Sequence, residues 1–351
     1  MSGGSLTYLG TDGLLMGVSG TTLSVANLTG GTATLTGLTL NAKGAAISST
    51  LTTTGGTLYL GAVGLVVGAG DTASPAVSVG GTSTLAAIAP GFSSSAKITL
   101  SGTPTVQAAD STTAAQNITL SGVLSGSPTS LTVTGAGALT LSGINTFASP
   151  IIITSGNLAI GGAGQLNTGS YASSITDNGT FAYGSSAAQT LSGIISGTSG
   201  TVTQNGPGTL TLSGANTYGG QTTVNGGTLL VNAPGSLPAA SAVVVNAGGI
   251  LGGSGTINGN ATVNQGGMTL PGPTGVTTTF TGNLTYATGS SNAFDLNTSG
   301  TGAGNDQIAL TTSGASLTGN GVSVYINAYN TTLDQVNNYT LFTPEQGSPV
   351  L

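Results

Sequence analysis

Residues 208–237 read GTLTLSGANTYGGQTTVNGGTLLVNAPGSL, and this stretch decides the fold. Thr209-Leu210-Thr211-Leu212 and Thr228-Leu229-Leu230-Val231 are short alternating runs bounded by Gly, Asn and Pro, which reads as strand, turn, strand. The corners fall at Gly219-Gly220, at Asn225-Gly226-Gly227 and, further on, at Asn258-Gly259. A positive φ is cheap for Gly and tolerable for Asn, so turn chemistry accounts for these residues. Residues 137–166, GALTLSGINTFASPIIITSGNLAIGGAGQL, align on 208–237 without gaps at an offset of 71 residues. The same offset places Leu120-Ser121-Gly122 on Leu191-Ser192-Gly193, so the duplicated unit is longer than one motif.

A finer period lies inside it. Leu-Ser-Gly recurs at Leu100, Leu120, Leu141, Leu191 and Leu212, with spacings of 20, 21, 50 and 21 residues. A turn of about 20–25 residues suits a three-sided parallel β-solenoid, in which each coil gives short strands that pair with the coils above and below. Inward Leu, Val and Ile then alternate with outward Thr and Ser, whose β-branched or small side chains suit a half-exposed pleated face. Asn and Thr stacked at equivalent corners are placed for hydrogen-bonded ladders. An antiparallel meander is the rival, but it predicts strands evenly spaced at roughly eight to twelve residues and no long superperiod. Three sections result: residues 1–115 as N-terminal solenoid coils, 116–270 as solenoid with two copies of the 71-residue unit, and 271–351 as a β-rich C-terminal section or cap that reads as truncated. Phe280, Tyr286, Phe294, Tyr325, Tyr329, Tyr339 and Phe342 raise the aromatic content of the last section.

Composition agrees. Gly supplies 62 of 351 residues, aromatics 4% and Trp none, which suits stacked small rungs better than one bulky globular core. A flexible Gly/Ser linker has a similar bulk composition, but not the recurring apolar alternation. No stretch carries a helical period over a length that nucleates, and the Ala-rich patch from Pro238 to Ala242 is too brief.

The formal charge is −6, and Lys43 and Lys97 are the only cations. A phosphate-binding surface cannot be assembled from two lysines, so nucleic acid is excluded as a partner and so is recognition of anionic lipid by a basic patch. Scarce charge also predicts tolerance of pH and salt. Zero Cys removes disulfides, zinc–thiolate sites and thiol nucleophiles together. Met1 to Ser5 show neither a basic n-region nor an apolar h-region, which predicts a removed leader or an internal fragment. No apolar run approaches the roughly 18 residues of a membrane helix.

The run from Gly208 to Val231 closely resembles the autotransporter-associated β-strand repeat, and the flanks Leu191–Gly200 and Val243–Leu251 are similar to its usual neighbours. The copy from Gly137 departs from the pattern, with Phe147 in place of Tyr218 and Ser149-Pro150 in place of Gly220-Gln221. The resemblance covers about 116 to 265 and implies a right-handed parallel β-helix on a bacterial cell surface. It further implies passenger segments whose vectorial folding assists export and which take part in adhesion. Nothing in the chain resembles a translocator barrel, whose strands need lipid-facing alternation and aromatic girdles.

Candidate sites are few. Without His there is no Ser-His-Asp constellation, and without Cys no thiol route. The carboxylates Asp12, Asp71, Asp110, Asp177, Asp295, Asp306, Asp334 and Glu345 are scattered. Asp110 and Asp177 stand near three coils apart, roughly 14 Å, which is too far for a glycosidase pair. Thr301 to Ala309 match most of a calcium-binding nonapeptide, but in one copy; the plainer reading is a tight turn in which Asp306 caps its own backbone. Gly-x-Gly at Gly135, Gly206 and Gly302 completes no nucleotide fingerprint. Thr52-Thr53-Thr54 and Thr277-Thr278-Thr279 raise the idea of an ice-ordering threonine row, but no Thr-x-Thr recurs at a fixed place in every coil.

The sequence therefore predicts a non-enzymatic, extracellular structural or adhesive segment, with no catalytic, cofactor-binding or metal residue assigned. Its expected partners are a host surface, glycan or matrix, or further copies through the coil edges, with no direct membrane insertion. A carbohydrate-binding or carbohydrate-degrading β-helix is the alternative.

Overall fold

A computed structural model describes residues 1–10, 14–16, 24–40, 49–67, 76–272, 275–296, 305–328 and 340–343. It is an all-β parallel solenoid of about 11 coils, with about 23 residues per turn. The described residues form strands and turns, with a single 3-10 turn at Asn167–Gly169. Two compact units divide the chain, Met1–Phe181 and Ala182–Leu351.

In the first unit three parallel sheets enclose the core. One contains Thr57–Val67, Thr84–Ala87, Thr105–Gln107, Leu131–Thr134, Ile151–Ile153 and Ile175–Asp177; a second contains Ser49–Thr53, Ala76–Val79, Ile98–Leu100 and Leu124–Gly126; the third contains Phe92–Ser94, Ile118–Leu120, Ala138–Leu141 and Asn157–Ile160. Register stacks like on like. Leu58 pairs with Leu85, Leu85 with Val106, Val106 with Val133 and Val133 with Ile153, giving an inward aliphatic file. Burying each such side chain contributes about 1.5–3 kcal/mol. Adding a coil therefore extends this aliphatic file by one side chain.

The second unit repeats the plan with Thr201–Gln204, Thr222–Val224, Val243–Val245, Ala261–Val263 and Leu284–Tyr286 on one face. Thr209–Leu212, Gly227–Val231, Gly249–Gly252 and Ser291–Leu296 form the next, and Ser236–Leu237, Thr256–Ile257, Thr277–Phe280 and Gln307–Leu310 the last. The file Leu237, Ile257, Phe280, Leu310 is buried throughout. Phe280, Phe294 and Tyr286 are core residues of this unit, while Tyr325 is exposed. Tyr329 and Tyr339 lie outside the described residues.

Leu-Ser-Gly is a strand exit and not always a coil marker. Leu120 pairs with Leu141, and Leu191 with Leu212, so both spacings of 21 are one coil. Leu100, by contrast, belongs to the second sheet of its unit and Leu120 to the third. The spacing of 20 between them is not a coil, because the motif ends strands on more than one face.

Candidate functional site

The repeat's own corner is the most organised polar feature. In the first unit Asn145 is fully buried; its Oδ1 accepts the Leu124 N–H at 2.9 Å, and its Nδ2 donates to Gly143 O at 2.9 Å and Gln165 O at 3.1 Å. In the second unit Asn216 accepts the Ile195 N–H at 2.9 Å and donates to Gly214 O at 2.9 Å and Ser236 O at 3.0 Å. These partners lie on successive coils, since Leu120, Leu141 and Ile160 are in register, as are Leu191, Leu212 and Val231. One buried amide thus clamps its coil to the coils on both sides, and its polar atoms are satisfied only when all three are in place.

The preceding glycine makes the approach possible. A Cβ on Gly143 would strike Gly122 O, and one on Gly214 would strike Gly193 O, so backbone proximity and not a special φ demands Gly.

The departure at Phe147 is also accounted for. Tyr218 places its hydroxyl 2.5 Å from Thr222 Oγ1, which lies 2.8 Å from Ser241 Oγ. In the other copy Ile151 occupies the position of Thr222, so a hydroxyl would find no such partner. Phe147 instead packs edge-on against Tyr171, with ring centroids 6.3 Å apart at 77°. The aromatic and its partner change together, from hydrogen-bonded to apolar.

Beside the second copy runs an asparagine ladder. Asn225 Nδ2 donates to Asn205 Oδ1 at 2.8 Å, Asn246 to Asn225 at 2.7 Å, and Asn264 to Asn246 at 2.8 Å. This is the stacked corner that the Asn-Gly spacing predicts.

Residues 131–160 and 202–231 each match the family model described as passenger-associated-transport-repeat. These two matches and the parallel β-solenoid fit an autotransporter passenger-like β-helix repeat protein. No curated protein and no solved structure matches it. Each matched stretch contains one of the two clamping asparagines, and the two matches stand 71 residues apart, the offset of the internal duplication.

Elsewhere in this passenger-like chain the carboxylates divide by environment. Asp110 is half-exposed in a corner loop, where Oδ1 accepts the Thr112 N–H at 2.8 Å, the Thr112 hydroxyl at 2.6 Å and the Ala114 N–H at 3.0 Å. The Thr112 hydroxyl, foremost, holds its pKa below the usual carboxylate value. Asp177 is fully buried in the inward file beneath Ile153. Its Oδ1 accepts the Gly179 N–H at 2.9 Å while Oδ2 has no hydrogen-bond partner. Burial pushes its pKa up to about 6, against the pull of the Gly179 and Phe181 amides. The Asp110 and Asp177 carboxylates thus share no site: one is in a half-exposed corner loop and the other in the core.

Asp295 and Asp306 are brought together, which their spacing did not foretell. Asp306 is buried and does not cap its own backbone: Oδ1 accepts the Val276 N–H at 3.0 Å, and Oδ2 the Asp295 N–H at 2.9 Å. Burial raises its pKa, the two amides oppose the rise, and the Asp295 carboxylate adds to it. The remaining nonapeptide residues Thr301–Gly304 lie outside the described residues, as do Asp12, Asp71, Asp334, Glu345 and Lys43. Among the described residues no group of three metal-ligating side chains converges.

The threonine rows are mixed. Thr32, Thr57, Thr84, Thr105 and Thr132 form one outward file, unevenly spaced in sequence because coil lengths differ. The neighbouring file is broken by Tyr59, Ala86 and Gln107, and Thr278 is buried, donating to Gly253 O at 2.7 Å.

Proposed function

We propose that the chain is a non-catalytic structural and adhesive segment of an autotransporter-type surface protein, which holds a surface away from the cell and assists its own export by stacking. The observation that carries this reading is the pair of clamps in the two matched repeats. A chain emerging through a membrane is free to slide back until something outside resists. Each coil that docks gains a set of parallel-strand bonds and inward aliphatic contacts, and must be undone before the chain can retreat. A clamp that binds the coil before and the coil after makes that step cooperative.

The outward faces are rich in Thr and Ser and nearly free of charge, which suits contact with a host surface, glycan or matrix through shape and hydroxyl hydrogen bonding. Cells expressing the parent polypeptide test the proposal. Antibody labelling of intact cells and protease shaving should detect this segment outside, and deleting residues 202–231 should lower its surface level several-fold and weaken cell adhesion. Full surface display and adhesion after the deletion, or a segment found only inside, would overturn it.

A further inference from the structure

We propose that Asn117, Asn260 and Asn283 are acceptor sites for N-linked sugar. Each opens an Asn-x-Thr tripeptide, ending at Thr119, Thr262 and Thr285, and each sits one residue before a strand: Ile118–Leu120, Ala261–Val263 and Leu284–Tyr286.

Their settings are equivalent. The main-chain carbonyl accepts the amide opening the strand of the coil before: Phe92 at 3.1 Å, Val243 at 2.8 Å and Ala261 at 2.8 Å, respectively. The side-chain Oδ1 accepts an amide of the coil after: Ala138 at 3.0 Å, Asn283 at 2.9 Å and Ser316 at 2.9 Å. All three residues are exposed, and among the described residues Nδ2 has no hydrogen-bond partner in any of them. The threonines are half-exposed on the outer face of their strands.

Asparagines that use Nδ2 structurally behave otherwise. Asn145, Asn216, Asn225, Asn246 and Asn264 all donate through Nδ2, and none begins an Asn-x-Ser/Thr tripeptide. The fold therefore uses the oxygen alone at the three acceptor positions and leaves the nitrogen available. A sugar on Nδ2 would leave Oδ1 bonded to the next coil and displace nothing.

The donor required is a sugar carrying a pyrophosphate leaving group, linked to a nucleoside or to a lipid. Nδ2 forms a bond to the anomeric carbon as the carbon–oxygen bond to phosphate breaks. The diphosphate departs with the electron pair, and one Nδ2 proton passes to a base of the transferring enzyme.

Mass spectrometry of peptides from the chain recovered from its native cells tests the proposal. Peptides holding Asn117, Asn260 and Asn283 should carry sugar, and those holding Asn145, Asn216 and Asn225 should not. Single monosaccharide increments would identify the nucleoside-linked donor, and one preassembled oligosaccharide mass the lipid-linked one. Thr119→Ala, Thr262→Ala and Thr285→Ala should each reduce occupancy at its own site to background while circular dichroism stays unchanged. Bare asparagine at all three sites, or occupancy that survives the Thr→Ala changes, would overturn the proposal and would leave the passenger reading untouched.

Discussion

Removing the Asn216 side chain is the sharpest perturbation of the repeat. In Asn216→Ala the Ile195 N–H, held at 2.9 Å by Oδ1, loses its acceptor in a buried corner, and Gly214 O and Ser236 O each lose a donor. The two carbonyls keep partners, since Gly214 O still receives the Ser236 N–H at 3.1 Å and Ser236 O the Asn216 N–H at 3.1 Å. The cost is therefore mainly one orphaned amide, about 1–3 kcal/mol, with up to about 1 kcal/mol more for each weakened carbonyl bond. We expect a loss of about 3 kcal/mol, concentrated in the coils on either side. Native-state hydrogen exchange reads it directly, because coils of a solenoid open locally and one global midpoint would blur the effect. Exchange at Ile195 should accelerate by roughly two orders of magnitude, as about 3 kcal/mol requires, while amides several coils away keep their rates. Asn216→Asp is the informative companion. It retains an acceptor for Ile195 but turns the donor side into an oxygen facing two carbonyls, so it should destabilise more at neutral pH than at acid pH. An Ala variant within about 0.5 kcal/mol of the parent, the range of ordinary surface changes, would refute the clamp.

Other perturbations follow from named contacts. The folded pKa of Asp177, about 6, lies above its ordinary 3.8, so its contribution is fully present below the ordinary value and is lost as the pH rises through about 6; Asp177→Asn should stabilise at pH 8 by at most about 3 kcal/mol, with the gap closing near pH 4 in denaturant titrations. Gly143→Ala forces a methyl group onto Gly122 O and should cost about 1–3 kcal/mol by overpacking, read as a lower midpoint. Asn246→Ala removes two ladder bonds, one exposed and one part-buried, and should cost only about 1 kcal/mol; a loss as large as that of Asn216→Ala would contradict this partly solvated ladder being the weaker of the two polar features.

Period and polarity made the strands legible. Thr209–Leu212 alternates half-exposed and buried as the sequence dictates, and the Leu120–Leu141 and Leu191–Leu212 registers follow from a spacing of 21. The sheet assignment of Leu100 was not legible, because a corner signal says that a strand ends and not which face it ends on. Asn145 and Asn216 were not legible as clamps, since each stands two residues after a glycine and outside the Asn-Gly pairs that mark corners. Their recurrence at one distance from Leu-Ser-Gly in both copies was the available signal. Asp177 precedes Asn178-Gly179 and so resembles a turn cap, but strand register carries it one step further inward. That placement qualifies the pH tolerance expected from scarce charge: few ion pairs titrate, but one buried carboxyl does. The meeting of Asp295 and Asp306 depends on tertiary return of the chain, which spacing does not encode.

Cysteine pairs placed across adjacent coils provide the most direct measurement, because the chain contains no cysteine of its own. Thr211 is the register partner of Leu230, and Thr140 of Ala159, all at outward positions. Parallel neighbours stand about 4.8 Å apart, within the roughly 4.4–6.8 Å that a disulfide spans. Thr211→Cys with Leu230→Cys, and Thr140→Cys with Ala159→Cys, should each oxidise to completion within one chain, whereas Thr211→Cys with Thr223→Cys, on different sheets, should stay reduced. Reduced thiols in the first two pairs, or a bond in the third, would contradict parallel stacking.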